Sequence, residues 1–289
     1  MSATPATTGP GPLPRRLLLV GVPIAGVILV AFFFFLGFPW DALRDVAAAQ
    51  ASRATGARVA IAELGPGFTP LGPALEARGV TATLPGGEAL RLDRARVRAA
   101  WSLSWLRGDA ALAVDISAPE GRLRGTVYAG SEPGFDGRVD ELDLGRLPLS
   151  GVAPDLALDG FATADVDVRS GERGPEGRVE LHAVEGSVGL PGLPVALPFQ
   201  SLDAAATLGG DAQLRLERFA LGGPMLSADG EAVVASAPAF ATAPLDATLH
   251  IEVHEAGVRP MVRNLGVRLD TEGRAEVRLG GTLAAPTVR

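Results

Sequence analysis

The stretch 245–253, LDATLHIEV, decides the fold class, because apolar and polar residues alternate through it without a break. Successive side chains of an extended strand point to opposite faces of a sheet. This pattern therefore predicts a β-strand with one apolar face and one face in water. Leu249, Ile251 and Val253 would lie together on the apolar face.

The same alternation recurs along most of the chain after residue 58, in runs separated by glycine- and proline-rich turns such as Pro85-Gly86-Gly87. No long helical pattern separates the runs, so neighbouring strands should pair as antiparallel hairpins. We expect a mostly β protein with about 12 to 14 strands in one long, curved, antiparallel sheet, either an open groove or a closed sandwich. The apolar positions that would line a groove are Leu112, Val114, Ile116, Val166, Val168, Leu214, Leu216, Leu249, Ile251 and Val253.

The N-terminal segment differs from the rest of the chain. Residues 1–16 are rich in Pro, Gly, Thr and Ala and are expected to form a disordered cytoplasmic tail. Residues 17–38 carry no charge, and at about 1.5 Å per residue they span roughly 33 Å, enough to cross a bilayer. A basic pair before this run and an interfacial Trp after it predict a single-pass membrane helix, with an exported β-domain over residues 41–289. The residues that mark the anchor are Arg15, Arg16, Leu17, Phe38 and Trp40.

A cleaved signal peptide is the competing interpretation, since Ala47-Ala48-Ala49 offers a cleavage site with small residues. The apolar run is longer than the usual signal core of about 7–15 residues, and the alanines lie well downstream of it. The sequence therefore favours retention of the anchor.

A short helix is predicted directly after the anchor, over residues 42–55. Asp41 can cap its N-terminus, and Gly56 can end it in a left-handed conformation. Leu43 and Val46 share one face at helical spacing, so the helix is weakly amphipathic. We expect it to pack as a lid on the end of the following sheet.

Composition and motif content argue against catalysis and nucleic-acid binding. The chain has no cysteine, three histidines and a formal net charge of −7, so it lacks thiolate ligands and repels phosphate backbones. His250 and His254 would lie about 13 Å apart on one strand, too far to share a metal ion. No nucleophile elbow, phosphate-binding loop or dinucleotide fingerprint occurs. We expect no enzymatic activity, catalytic residue, cofactor or metal site.

One row of arginines stands out within the strand pattern. Arg94, Arg96 and Arg98 alternate with Ala95 and Val97. We expect these arginines to form a basic row on the wet face of the sheet, paired with acids on neighbouring strands.

The order of motifs along the chain points to a family. After the apolar run come a helix ending in Thr55-Gly56, SLSWLRG at 102–108, ALAVDI at 111–116, EGRLRG at 120–125, LDLGRLP at 142–148 and GTLAAP at 281–286. In this order the chain resembles the type II secretion system protein N family, in the version found in delta-proteobacteria. More distantly it resembles AsmA-like and TamB-like envelope proteins. The resemblance covers essentially the whole chain from Leu17.

The two resemblances imply different functions. The first implies an inner-membrane-anchored, periplasmic accessory or structural component of the type II secretion machinery, with other subunits of that machinery as partners. The AsmA-like resemblance implies a curved sheet with a hydrophobic groove that binds or transfers phospholipid. The discriminating feature is whether the alternate Leu, Val and Ala residues line an open trough or a closed core.

Overall fold

The structure is a computed structural model that describes residues 38–83, 89–100, 110–130, 133–147, 157–171, 174–189, 195–209, 211, 213–237, 242–264, 266–283 and 285–288. Most of the predicted anchor, including Arg15, Arg16 and Leu17, and the segment 102–108 lie outside these residues. No helix within the described part has both the length and the apolar character needed to cross a bilayer. The chain divides into two compact units, residues 1–43 and 44–289.

The second unit contains one antiparallel sheet of fourteen strands, in which every strand pairs with the next along the chain. The strands are β1 (Arg58–Thr69), β2 (Gly72–Thr83), β3 (Ala89–Ala99), β4 (Ala110–Ala118), β5 (Gly121–Ala129), β6 (Gly134–Asp143), β7 (Ala157–Gly171), β8 (Gly174–Gly189), β9 (Leu197–Leu208), β10 (Leu214–Gly222), β11 (Leu226–Val234), β12 (Leu245–Val253), β13 (Arg274–Thr282) and β14 (Ala285–Val288). The predicted antiparallel, mostly β fold is confirmed. Among the described residues, β1 and β14 each pair with one strand only, so the sheet is open.

The predicted leading helix is confirmed, and it spans Trp40–Thr55. The N–H of Leu43 donates to the carbonyl of Pro39 at 3.2 Å, so helical bonding begins earlier than the sequence suggested. Asp41 therefore lies in the first turn, where its charge favours the positive end of the helix dipole, rather than at the cap position.

The C-terminal end of the leading helix is fastened to the sheet. Gly56 adopts the expected left-handed conformation, with φ of +68°. The hydroxyl of Ser52 accepts a hydrogen bond from the N–H of Val59 in β1 at 2.9 Å. The same hydroxyl donates to the carbonyl of Ala48 at 2.8 Å. The helix thus occupies one edge N–H of β1, the first strand of the sheet.

Bulges shift the register of the sheet without changing which face is apolar. The register shifts between Val139 and Leu142 in β6, where Glu141 has φ of +54°. A second shift lies between Asp159 and Phe161 in β7, opposite the part of β8 that holds Glu185 at φ of +53°. Non-glycine residues rarely adopt this conformation, and bulges increase local twist. Val139 and Leu142 stay on one face although they are three residues apart.

Two clusters of buried side chains form the core. One lies where a short helix (Arg259–Asn264) packs on β12 and β13, and its members are Leu197, Val253, Val258, Val262, Val267 and Val277. The other lies beside a 3-10 turn (Leu144–Arg146), and its members are Leu144, Ala162, Ala183, Phe199 and Leu202. We call the short helix, with Val258 and Val267 on either side of it, the helical cover.

Candidate functional site

The register of the sheet assembles apolar residues into rows that cross the strands. Directly paired residues of antiparallel strands point to the same face, so the pairing defines each row. The Val114 row runs through all fourteen strands as Pro66, Leu75, Val97, Val114, Gly125, Gly137, Val166, Val179, Ala206, Leu216, Ala232, Ala247, Leu279 and Val288.

Further rows lie parallel to the Val114 row on the same face. The Ile116 row contains Leu64, Ala77, Ala95, Ile116, Leu123, Val139, Ala164, Leu181, Ala204, Phe219, Gly230, Leu249 and Val277. The Leu112 row contains Ala99, Leu112, Val127, Phe135, Val168, Gly177, Leu208, Leu214, Val234 and Leu245, and the pair Phe68 and Pro73 lies at its β1–β2 end. The Leu202 row contains Leu142, Ala162, Ala183, Leu202, Leu221, Ala228, Ile251 and Ala275.

None of these rows contains a polar side chain. We call the Val114, Ile116 and Leu112 rows together the apolar strip. The register places all ten residues proposed from the sequence on this one face. Eight belong to the strip, and Ile251 belongs to the Leu202 row. Val253 is paired with Leu226 beyond Ile251 and is 1% exposed beneath the helical cover, so it is a core residue.

Exposure of the apolar strip falls from one end of the sheet to the other. At β1 and β2 three members are exposed, with Phe68 at 77%, and the other three are partly exposed. From β3 to β10 its members are partly exposed, apart from the small buried Ala164. At β11 to β13 every row reaches a buried residue: Val234 at 8%, Ala247 at 6% and Val277 at 5%. We call β3–β10, where Ala164 is the one buried member, the open part of the strip. We call β11–β13, where each row has one buried member and the others stay partly exposed, the closed part.

Two paired glycines interrupt the row of side chains in the apolar strip where β5 pairs with β6. Gly125 and Gly137 are directly paired, and the ring of Phe135 lies over both of them. A Cβ added at Gly125 would lie 2.7 Å from the ring of Phe135, and one added at Gly137 would lie 2.7 Å from the carbonyl oxygen of Arg124. The aromatic ring thus fills the space that two missing side chains leave.

Polar contacts hold the helical cover on the sheet. Arg259 donates to the carbonyl of Glu272 at 3.0 Å, and the N–H of His254 donates to the carbonyl of Met225 at 3.0 Å. Asp270 accepts from the backbone N–H groups of Arg274 and Glu272, each at 2.8 Å. The bond from Arg274 is the main reason that the pKa of Asp270 is lowered. These bonds fix the turn that leads from the cover into β13.

The opposite face of the sheet is charged, and Glu76 is its most connected carboxylate. Glu76 accepts from Arg96 at 2.6 Å and from Arg78 at 2.7 Å, and Arg94 lies 3.4 Å away. Only 10% of the Glu76 side chain is exposed. The bond from Arg96 is the largest cause that lowers the pKa of Glu76. The predicted pairing is thus confirmed for Arg94 and Arg96, whereas Arg98 has no ion pair with a residue in the described ranges.

Like charges on this face are separated by shared carboxylates. Arg124 and Arg138 are directly opposite each other, and Asp140 lies 3.7 Å from the first and 3.3 Å from the second. Arg122 donates to Asp115 at 2.9 Å, and this bond is the main cause that lowers the pKa of Asp115.

A depression of about 520 Å³ lies between the long side chains of the charged face and is lined in part by Arg96, Arg98, Ala113, Thr126, Asp136 and Arg138.

The histidines in strands also lie on the charged face. Nδ1 of His182 is 2.6 Å from Asp203, and Nδ1 of His250 is 3.5 Å from Asp229. Both pairs are cross-strand neighbours. Within the described residues, no three His, Cys, Asp or Glu side chains are grouped so that they could hold a metal ion.

Sequence reasoning missed the helical cover and the Phe135 contact. Val258 and Val262 are four residues apart, which is a helical spacing, but the run is too short to stand out. Gly125 and Gly137 interrupt strand patterns, and a glycine inside a strand signals a close approach of other atoms. Comparison of the chain with protein-family models, with curated proteins and with solved structures finds no match, so the family resemblance stays a prediction.

Proposed function

We propose that this protein is a lipid-handling β-domain of a bacterial envelope, tethered to the inner membrane by residues 17–38, and that the open part of the apolar strip binds the acyl chains of phospholipid. The observation that carries the proposal is a strip of three rows, without one polar side chain, that stays partly exposed from β3 to β10. A partly exposed apolar surface without polar side chains is a candidate binding surface.

The chemistry of the strip favours an aliphatic ligand over a protein partner. A protein interface of ordinary size carries roughly ten hydrogen bonds, many of them from side chains. The apolar strip offers no side-chain donor or acceptor, because its members are Ala, Val, Leu, Ile, Phe, Pro and Gly only. An acyl chain needs none. The charged face of the same sheet remains in water, so a bound lipid leaves the ion pairs of that face unchanged.

The dimensions of the open part also suit an acyl chain. Neighbouring strands are about 4.8 Å apart, so β3 to β10 spans roughly 34 Å. One leaflet of a bilayer has a hydrocarbon thickness of about 15 Å, half of the usual core. A chain that lies along the Val114 row therefore fits within the open part.

A pair of variants on adjacent residues tests the proposal. Val114→Asp places a charge in the apolar strip, whereas Ala113→Asp places the same charge on the charged face of the same strand. Native mass spectrometry of the full-length chain, extracted in mild detergent, would measure bound phospholipid. We expect wild type and Ala113→Asp to retain lipid and Val114→Asp to lose it while staying folded. Both variants keep the same N-terminal segment, so lipid held there contributes equally. Equal lipid retention in a folded Val114→Asp protein would refute the proposal.

A second candidate function is a structural or accessory subunit of the type II secretion system. The feature that favours it, beside the resemblance, is that β1 and β14 each pair with one strand only within the part of the chain that the structure describes, and such sheet edges can pair with another chain. Affinity purification of the full-length chain from its native membranes distinguishes the candidates. Recovery of secretion subunits with wild type and Val114→Asp alike supports the second. Recovery of phospholipid alone supports the first.

A further inference from the structure

The three rows of the apolar strip end differently at the two sides of the sheet. On the β1–β2 side the Val114 and Leu112 rows begin with the exposed Pro66, Phe68 and Pro73, and the Ile116 row begins with the partly exposed Leu64. On the other side they run into the buried Val234, Ala247 and Val277. All three rows therefore reach a buried residue, and two of them also begin with exposed residues, so the gradient is a property of the surface rather than of one side chain.

The buried end is occupied by protein. Val258, Val262 and Val267 of the helical cover are 4%, 4% and 9% exposed, and they pack with Val277 and Val253 in one cluster. Leu249, Leu279 and Ile251 pack against the same cluster, so the Ile116 and Val114 rows both reach it. The space above β12 and β13 that a ligand would need is thus already filled by valine side chains.

The cover is fastened by bonds that a ligand could not easily displace. Arg259 donates to the carbonyl oxygens of Glu272 and Thr271 beside β13. Gly273 has φ of +91°, and a Cβ there would lie 2.9 Å from Nε of Arg259. The N–H of Val253, the last residue of β12, donates to the carbonyl of Gly273 at 2.9 Å. Lifting the cover would expose several valines to water and exchange these hydrogen bonds for bonds to water, so the cost comes chiefly from the valines.

We infer that the lipid site is one-ended: an acyl chain enters over β1–β2, lies along the rows toward β10, and stops at the wall formed by Val234, Ala247, Val277 and the helical cover. This inference rests on the proposed function and adds a direction and an end to it. The protein then holds one end of a lipid as a carrier or sensor does, and this unit alone does not act as a through-conduit for lipid.

Position-resolved photocross-linking in vesicles tests the inference on the full-length chain. Two phosphatidylcholine probes are used, one with a diazirine near the acyl carboxyl and one with a diazirine at the terminal carbon. Adducts are mapped by peptide mass spectrometry. We expect the carboxyl-end probe to label β2–β4, the terminal probe to label β6–β10, and neither to label Val253, Val262 or Val277.

Each outcome decides one claim. Adducts at Val262 or Val277 overturn the one-ended site but leave lipid binding standing. Identical patterns for the two probes overturn the direction of entry. No adduct anywhere on the sheet overturns the proposed function and this inference with it.

A matched pair of variants checks the entry side. Val97→Arg places a cation in the Val114 row at β3, and Thr163→Arg places one on the charged face of β7. We expect Val97→Arg to abolish labelling of β6–β10 by the terminal probe and Thr163→Arg to leave it unchanged. Full labelling of β6–β10 in a folded Val97→Arg protein contradicts entry over β1–β2.

Discussion

Between β3 and β10 the apolar strip is partly exposed, whereas between β11 and β13 the same rows become buried. The strands of the two regions have the same alternation and the same residue types. Part of the difference comes from outside the strands, because Val258, Val262 and Val267 pack in one cluster with Val277 in the second region. In the first region, the cluster around Leu144 reaches the strip only at Leu181 and Phe219. One-sided apolar strands therefore do not by themselves define a core. The segment that packs on them decides whether the face is a core or a surface.

The largest expected difference between the regions comes from burying a charge. Val253→Asp places a carboxylate where 1% of the side chain is exposed, and we expect a loss of at least about 4 kcal/mol in the free energy of unfolding. Val114→Asp lies in the open region and should cost no more than about 1 kcal/mol, because water can reach the charge. Denaturant unfolding of the full-length variants followed by circular dichroism measures both. Similar losses for the two variants would mean that the strip is closed at Val114.

Packing of Phe135 over the glycines provides a sharper test inside the open region. A Cβ at Gly137 meets the ring of Phe135 and lies 2.7 Å from the carbonyl of Arg124, so we expect Gly137→Ala to cost about 2–3 kcal/mol. Gly65, in β1, has nothing within 4 Å of an added Cβ, and Gly65→Ala should change stability by less than about 1 kcal/mol. Thermal unfolding compares the two alanine variants. A neutral Gly137→Ala would show that the ring moves aside freely.

Replacing a valine by alanine should also reduce stability by different amounts in the two regions. Val262 is 4% exposed in the helical cover, so Val262→Ala loses buried methyl groups and leaves a cavity, at a cost of about 2 kcal/mol. Val179 lies in the open part of the Val114 row, and Val179→Ala should cost only about 0.5 kcal/mol. The difference is measured from the denaturant midpoints of the two variants, compared at equal m-values. A larger loss at Val179 than at Val262 would reverse the assignment of open and closed regions.

The smallest effect concerns the charged face behind the open region. The pKa of Glu76 is lowered in the folded protein, chiefly by the hydrogen bond from Arg96. Its ionised form therefore stabilises the fold above the pKa of the unfolded chain, and this contribution is lost as pH falls through the lowered value. We expect Glu76→Gln to cost about 0.5–1 kcal/mol at pH 7. The cost should disappear once Glu76 is protonated in both the folded and the unfolded wild-type chain. Unfolding midpoints between pH 7 and pH 3 measure this, and parallel curves for wild type and variant would contradict the role of Glu76.

The sequence predicted which residues share a face but not which of them are covered. Period-two alternation is a local property, and it placed Val114 and Val253 on the apolar face equally well. Their burial differs because the helical cover reaches one and not the other. That cover comes from a six-residue helix at Arg259–Asn264, too short for a clear helical period. The leading helix was predictable because Gly56 ends it, although its start at Trp40 was misplaced by the capping signal of Asp41.

The ion pairs on the charged face show the same limit of prediction from sequence. Alternation of Arg94, Arg96 and Arg98 predicted a basic row, and β2 supplies Glu76 to two of the three. The register that brings Glu76 opposite Arg96 depends on the hairpin between β2 and β3, which local alternation does not specify. The third arginine, Arg98, is opposite Ala74 and Ala113 and so has no acid directly across from it.

Thiol labelling tests most directly whether the apolar strip is open over β3–β10 and closed over β11–β13. The chain has no cysteine, so Val166→Cys and Val277→Cys each introduce a unique thiol into the full-length protein. The rate of reaction with a water-soluble maleimide is measured before and after phospholipid is added. We expect Val166→Cys to react more than about tenfold faster than Val277→Cys, which must wait for local opening, and to slow when phospholipid binds. Equal slow rates at both positions, or a fast rate at Val166→Cys that phospholipid does not change, would contradict the open strip.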